Sequence, residues 1–298
     1  MSNLEEQLRA LACKYEKKEF LDGDPSWFMH QVEGDANKEL LAFVASALSY
    51  GSRAQFLPKI RYVLECSGGD IADWLLRGDY QRAFPDDDSC YYRLYSNRMM
   101  RTFLDALALM VRQYGSMKAF VMSLDEGGEM RDEGRGMRDE GREMREEGRG
   151  MRDEGGGMRD EGGEMRDEGG EMRDSITCLD AIVSLTSWFA AHGSSGVVPK
   201  NAQSSCKRLC MFLRWMVRDG SPVDLGLWSD IIDRRTLIMP MDTHVVQEAN
   251  RLGLIHSKST TMAAAIKLTD RLREIFPDDP LKGDFALFGY GVDTTYAS

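Results

Sequence analysis

The 298 residues, 42% hydrophobic and 9% aromatic, suffice for one large or two small domains with a sizeable core. No apolar run is long enough to cross a membrane as a helix, and the charged start MSNLEEQLRALACKYEKKEF lacks the apolar stretch of a signal peptide, so a cytoplasmic protein is expected. The net charge of −11 argues against a nucleic-acid partner only if it is evenly spread, and residues 125–174, with 19 acids and 10 arginines, carry most of it.

In chain order, ANKELLAFVASALSYG (36–51) places Leu40, Phe43, Val44, Ala47 and Leu48 on one helical stripe, with Asp35 as cap and Glu39 in the first turn. LPKIRYVLE (57–65) predicts a second helix after a short break. YYRLYSNRMMRTFLDALALMVRQYG (91–115) predicts a long amphipathic helix ending at Gly115. Next comes a tandem repeat in which Met130, Met137, Met144, Met151, Met158, Met165 and Met172 recur every seven residues. A coiled coil needs two apolar positions per seven. Here each full unit offers one Met and at least one Gly, and glycine costs about 1 kcal/mol per helical position relative to alanine. Segment 125–174 is therefore expected to be disordered or a solvated helix that lengthens a surface loop.

Residues 1–124 and 175–298 then form one helical module. Its second part predicts helices over 175–193 from a Ser cap, 203–220, 242–253 from an Asp cap, 260–277 stopped by Pro277, and 279–291 with Asp278-Asp279 as a helix-start cap. No alternating strand pattern stands out, so the expected fold class is all-α. Six scattered cysteines with no CxxC pair argue against a disulfide framework or zinc site. Cys206 and Cys210, four apart on one helix, read as small core residues in preference to metal ligands, and Trp215 and Trp228 read as core aromatics. Neither metal nor cofactor is expected, and a monomer is favoured.

The chemistry concentrates in 199–275, where 12 basic and 8 acidic residues leave a local +4. In LIMPMDTHVVQEANRLGLI (237–255), Asp242 sits where a helix starts. It reads as an N-cap, and a capping carboxylate is also held ionised, which suits stabilisation of a developing cation. Cap and catalyst can be one residue. His244 reads as a first-turn helix residue. Lys207 shares a stripe with Met211, Arg214 and Arg218. That stripe is either a solvated basic face suited to phosphates, to which Arg208 adds, or the seat of a lysine that attacks a sugar C1′. The loop HGSSGVVPKNAQSS (192–205), with Gly196 and Lys200, is either a degenerate phosphate-binding hairpin or an ordinary helix connection. In SYGSRAQF (49–56), Tyr50 is placed to stack on a base and Gln55 to enter a duplex, or both simply end an amphipathic helix.

The stretch from Pro240 through Asp242-Thr243-His244-Val245 resembles the segment bearing the catalytic Asp in helix-hairpin-helix DNA glycosylases of the endonuclease III type. That resemblance implies a helix-hairpin-helix glycosylase-like fold, duplex DNA as partner, Asp242 as a catalytic residue and Lys207 as the Schiff-base lysine. Lys207 precedes Asp242 by 35 positions. This is longer than the endonuclease III spacing and more similar to the archaeal 8-oxoguanine glycosylase branch. The typical hairpin glycines are not matched. No cysteine follows Cys210, so the iron–sulfur cluster of some relatives is not expected. Over nearly the whole chain outside 125–174, the features DxxWFMHQ, ELLAFVASALSYGSRAQF, CKRLCMFLRWMVR, PMDTHV and DPLKGDFALFGYG resemble a bacterial family catalogued as domain of unknown function 2400. The expected function is base excision by a glycosylase with possible lyase activity. The alternatives are a catalytically inactive DNA- or nucleotide-binding module and a helical interaction protein.

Overall fold

The computed structural model describes residues 3–125 and 176–295, so segment 125–174, expected to be disordered or a solvated helix, lies outside the described residues apart from Asp125. Helix α1 (Asn3–Tyr15) is followed by two short 3-10 segments, then by α2 (Asp35–Leu48), α3 (Arg53–Ser67), α4 (Ile71–Arg77) and α5 (Tyr80–Ala83). A small antiparallel hairpin, β1 (Cys90–Tyr92) and β2 (Tyr95–Ser96), leads into α6 (Asn97–Tyr114) and α7 (Met117–Met122). The chain is described again through α8 (Cys178–Ala191), α9 (Lys207–Val217), α10 (Thr243–Arg251), α11 (Met262–Ile275) and α12 (Lys282–Thr295). The protein is thus predominantly helical, and none of the described helices is long and apolar enough to cross a membrane.

Helix α2 is the centre of the core. The sequence predicts one apolar stripe, yet Glu39 to Leu48 are buried without interruption, as a helix packed on all sides requires. Phe43 packs against Phe103 of α6, Phe189 of α8 and Phe212 of α9, with ring centroids 5.7, 5.1 and 5.1 Å away. Both parts of the chain therefore contribute to one apolar cluster. Glu39, read from the sequence only as a first-turn residue, is buried. Its carboxylate accepts the backbone N–H of Met117 (2.9 Å) and Lys118 (3.1 Å) and the indole N–H of Trp228 (2.8 Å). Burial pushes its pKa up, against these three donors.

Several element boundaries differ from the sequence expectation for local reasons. The N-cap of α2 is Gly34, and Asp35 is the first helical residue. The second helix starts at Arg53, ahead of the expected 57, and carries Pro58 inside it. The helix expected from 91 starts at Asn97, because Ser96 caps it by accepting the Met99 N–H, and the preceding residues pair as the hairpin. Helix α8 starts at Cys178, where Thr177 and Asp180 form a reciprocal capping box. Helix α9 starts at Lys207. Residues just before it are drawn out of the helix by pairing with the chain ahead of α11: the Ser205 N–H donates to Thr260 O (3.0 Å) and the Met262 N–H to Gln203 O (3.2 Å). Cys206 then turns the chain with φ 45°, a left-handed conformation rare outside glycine.

Below α9 lies a buried ionic network. Arg218 is 1% exposed and donates to Asp279 through Nε (3.0 Å) and Nη2 (2.7 Å), to Glu16 (2.6 Å) and to Asp224. Arg214, 3% exposed, pairs with Asp224 at 3.2 Å and with Asp284. The basic stripe predicted on α9 is thus half internal: Arg214 and Arg218 face carboxylates, not solvent. Asp279 serves this network and not the helix-start cap predicted for it. Cys206, Cys210, Trp215 and Trp228 all lie in the core, as expected.

Candidate active site

Two helix starts meet at the mouth of one cavity. Lys207 is the first residue of α9, and Asp242 is the N-cap of α10. Asp242 Oδ1 accepts the Val245 N–H at 2.9 Å, which is the cap read from the sequence. Its Oδ2 accepts from Lys207 Nζ at 2.5 Å. Ser205, 6% exposed, reinforces this meeting by donating its hydroxyl to Met241 O at 2.8 Å, one residue before Asp242 and two before Lys207. The two side chains are about one-third exposed, so the pair is neither sealed in the core nor freely solvated. Burial works against ionisation of Asp242. The Lys207 ammonium, the hydrogen bond from it and the Val245 amide outweigh that penalty, and the carboxyl lies below the ordinary carboxylate range.

The cavity measures about 980 Å³, at the upper end of small-molecule sites, and its lining includes both Lys207 and Asp242. Aromatic rings from separate elements face it: Tyr50 and Phe56 from the α2–α3 region, Phe20, and Phe288 from α12. Tyr50 is 42% exposed and Phe288 36%, which is high for rings beside a cavity and leaves surface for a ligand. Asp24, Arg53, Glu248 and Asp284 bring further charge to the wall. These residues were not singled out from the sequence. The spacing of Asp284, Leu287, Phe288 and Gly291 on one helical face was the signal that could have found part of this wall.

The remaining expected site residues divide. Tyr50 and Arg208 line the cavity, and Arg208 also ties two elements together by donating to Ala47 O and to the Tyr95 hydroxyl, each at 2.5 Å. Arg214 reaches the cavity wall but is buried and engaged by Asp224 and Asp284. The expected phosphate contact from Arg214 is therefore replaced by a structural role in holding α12 to α9. Gln55 is exposed and lies outside the lining. Gly196 and Lys200 are exposed on the 192–206 connection, where only Pro199 and the residues from Ser204 onward reach the cavity. His244 is an exposed first-turn residue of α10 and does line it.

Chemically, the pair offers a primary amine able to form a carbon–nitrogen bond and a carboxylate held charged beside it. Both open into a space walled by flat rings.

Comparison with curated proteins and with solved structures found no match for the chain. A family model described as protein of unknown function (DUF2400) matches residues 24–293, which takes in both helix starts, the hairpin and every cavity-lining residue except Phe20. The chain is a member of the DUF2400 family.

Proposed function

We propose that the protein is a DNA base-excision glycosylase in which Lys207 is the nucleophile and Asp242 its electrostatic partner. The observation that carries this reading is the 2.5 Å approach of Lys207 Nζ to Asp242 Oδ2 at the wall of a cavity of about 980 Å³. A damaged base turned out of the duplex would enter the cavity and lie against its aromatic rings. As the glycosidic bond breaks, its electron pair leaves with the base, which takes up a proton. The Asp242 carboxylate faces the positive charge that grows at the sugar C1′. The Lys207 amine, once it has given up a proton, forms the new bond to C1′. Opening of the sugar ring leaves an imine, from which β-elimination cleaves the strand.

The test is borohydride reduction during incubation with duplex oligonucleotides carrying 8-oxoguanine, uracil, hypoxanthine or an abasic site. A covalent protein–DNA adduct that disappears in Lys207→Ala is expected. Absence of both adduct and released base across the panel would overturn the catalytic reading.

One observation favours a second reading, a DNA-binding module without catalysis. Lys207 and Asp242 neutralise each other in a closed ion pair. This reading expects salt-dependent duplex binding that survives Lys207→Ala and Asp242→Ala, with no adduct.

A further inference from the structure

The β1–β2 hairpin stands beside the cavity mouth. Tyr92 donates its hydroxyl to Tyr50 O, fastening the hairpin to the loop that carries the exposed Tyr50 ring. Next to it, Arg93 holds a left-handed backbone, φ 52°, and places its guanidinium carbon 4.9 Å from the centre of that ring. Gly51 fits beneath: a Cβ there would lie 2.5 Å from Arg93 Nη1. Arg93 is exposed and makes no ion pair among the described residues. That contrasts with Arg98 at the base of the same hairpin, which is occupied by Asp86 (3.1 Å) and Asp88 (3.0 Å). The residue after Arg93 is Leu94, 75% exposed, the highest value among the exposed large hydrophobic residues. The hairpin itself is anchored, since Tyr92 and Tyr95 are each only 4% exposed.

The tip therefore presents an unneutralised guanidinium braced on an aromatic ring, with an unpacked leucine beside it. A strained backbone that projects these two groups outward gains nothing for the core. It strains the left-handed arginine and leaves apolar surface in water. A partner that repays both must carry anionic groups and apolar flat surface side by side. A nucleic-acid strand does so, with phosphates outside and base and sugar faces within.

We infer that the hairpin tip is a DNA contact in which Arg93 takes a backbone phosphate next to the nucleotide entering the cavity, while Leu94 lies against base or sugar. The inference rests on the proposed action at DNA. It assigns a contact surface that the Lys207–Asp242 pair does not require. The two contacts differ in their response to salt. Neutralising one phosphate contributes about one unit to the slope of log affinity against log salt, whereas an apolar contact contributes none.

The experiment is fluorescence anisotropy with the full chain and a labelled duplex containing a tetrahydrofuran abasic analogue, over a salt series. Arg93→Gln is expected to weaken binding several-fold and to lower the slope by about one unit. Arg93→Lys should restore the slope, and Leu94→Ala should weaken binding with the slope unchanged. Circular dichroism and melting temperature check that each variant folds. If the folded variants keep wild-type affinity and slope while the wild type forms the borohydride adduct, the hairpin contact is wrong and the catalytic reading stands. If the variants behave as expected and no adduct forms, the contact stands without catalysis. Absence of duplex binding by the wild type even at low salt overturns both.

Discussion

Asp242 divides its carboxylate between two partners, with Oδ1 on the Val245 amide at 2.9 Å and Oδ2 on the Lys207 ammonium at 2.5 Å. One oxygen starts a helix and the other faces the cavity. The two roles are separable by substitution, because asparagine retains a side-chain oxygen for the amide and loses the charge, whereas alanine loses both. Asp242→Ala is expected to cost about 1 kcal/mol more in urea unfolding than Asp242→Asn. Both should abolish any Lys207 adduct. Equal stabilities of the two variants would show that the cap contributes nothing.

The same carboxyl sets a pH dependence. Its folded-state pKa lies below the ordinary value, so its contribution to stability is present above the unfolded-state pKa of about 3.9 and is lost as pH falls through the folded value. Carboxyl NMR titration should place Asp242 below the usual carboxylate range in the wild type, and higher in Lys207→Met, where burial acts without the ammonium. An unchanged titration in that variant would remove the ammonium as the cause.

Glu39 runs the opposite way. Burial raises its folded-state pKa, so ionisation costs more in the folded than in the unfolded protein. Its contribution to stability falls as pH rises from the unfolded value through the raised folded one, then levels off. Glu39→Gln should flatten this part of the stability profile. It should also destabilise by about 1–3 kcal/mol, because the amide nitrogen must face a backbone N–H that Glu39 now accepts. Denaturation followed by tryptophan fluorescence against pH measures both effects.

Arg218 holds three carboxylates, from Glu16, Asp224 and Asp279, in the interior. Removing it as Arg218→Ala leaves them without this common partner, and a loss of about 3–5 kcal/mol is expected. Arg218→Lys should recover only part of it, since a single ammonium cannot reproduce the two-nitrogen grip on Asp279. Guanidinium unfolding midpoints of the two variants test this. Full rescue by lysine would mean that charge alone matters there.

Gly289 lies where α12 crosses α1, and a Cβ at this position would overlap the Tyr15 ring. A mid-helix Gly→Ala change ordinarily gains roughly 0.5–1 kcal/mol. Here the overlap should win, because overpacking costs about 1–3 kcal/mol and the Tyr15 hydroxyl is tied to Asp293 at 2.5 Å. Thermal melting of Gly289→Ala should therefore show a lower Tm than the wild type.

Much of the helical framework was legible from period and punctuation. The 3.6-residue spacing marked α2 and α6, Pro277 marked the stop after α11, and the cap of α10 at Asp242 was readable because an N-cap is a local device: side chain and amide lie three residues apart. The inner face of α9 was not readable. Arg214 and Arg218 look like solvent residues by type, and only their carboxylate partners, 6 to 202 positions away, make their burial tolerable. The burial of Glu39 was hidden for the same reason, since its three donors come from α7 and the Trp228 loop. The hairpin was hidden because five strand residues give too short an alternation to stand out beside the long amphipathic helix that follows.

The amino-acid order by itself determined the helical class and the cap at Asp242, because these depend on neighbours within one or two turns. Only the tertiary structure decided that Lys207, 35 positions earlier, meets that cap, and which distant rings from the α2–α3 loop and α12 wall the cavity around them. Distances between elements follow from how whole helices pack, and packing is a property of all the contacting faces together, not of any one segment.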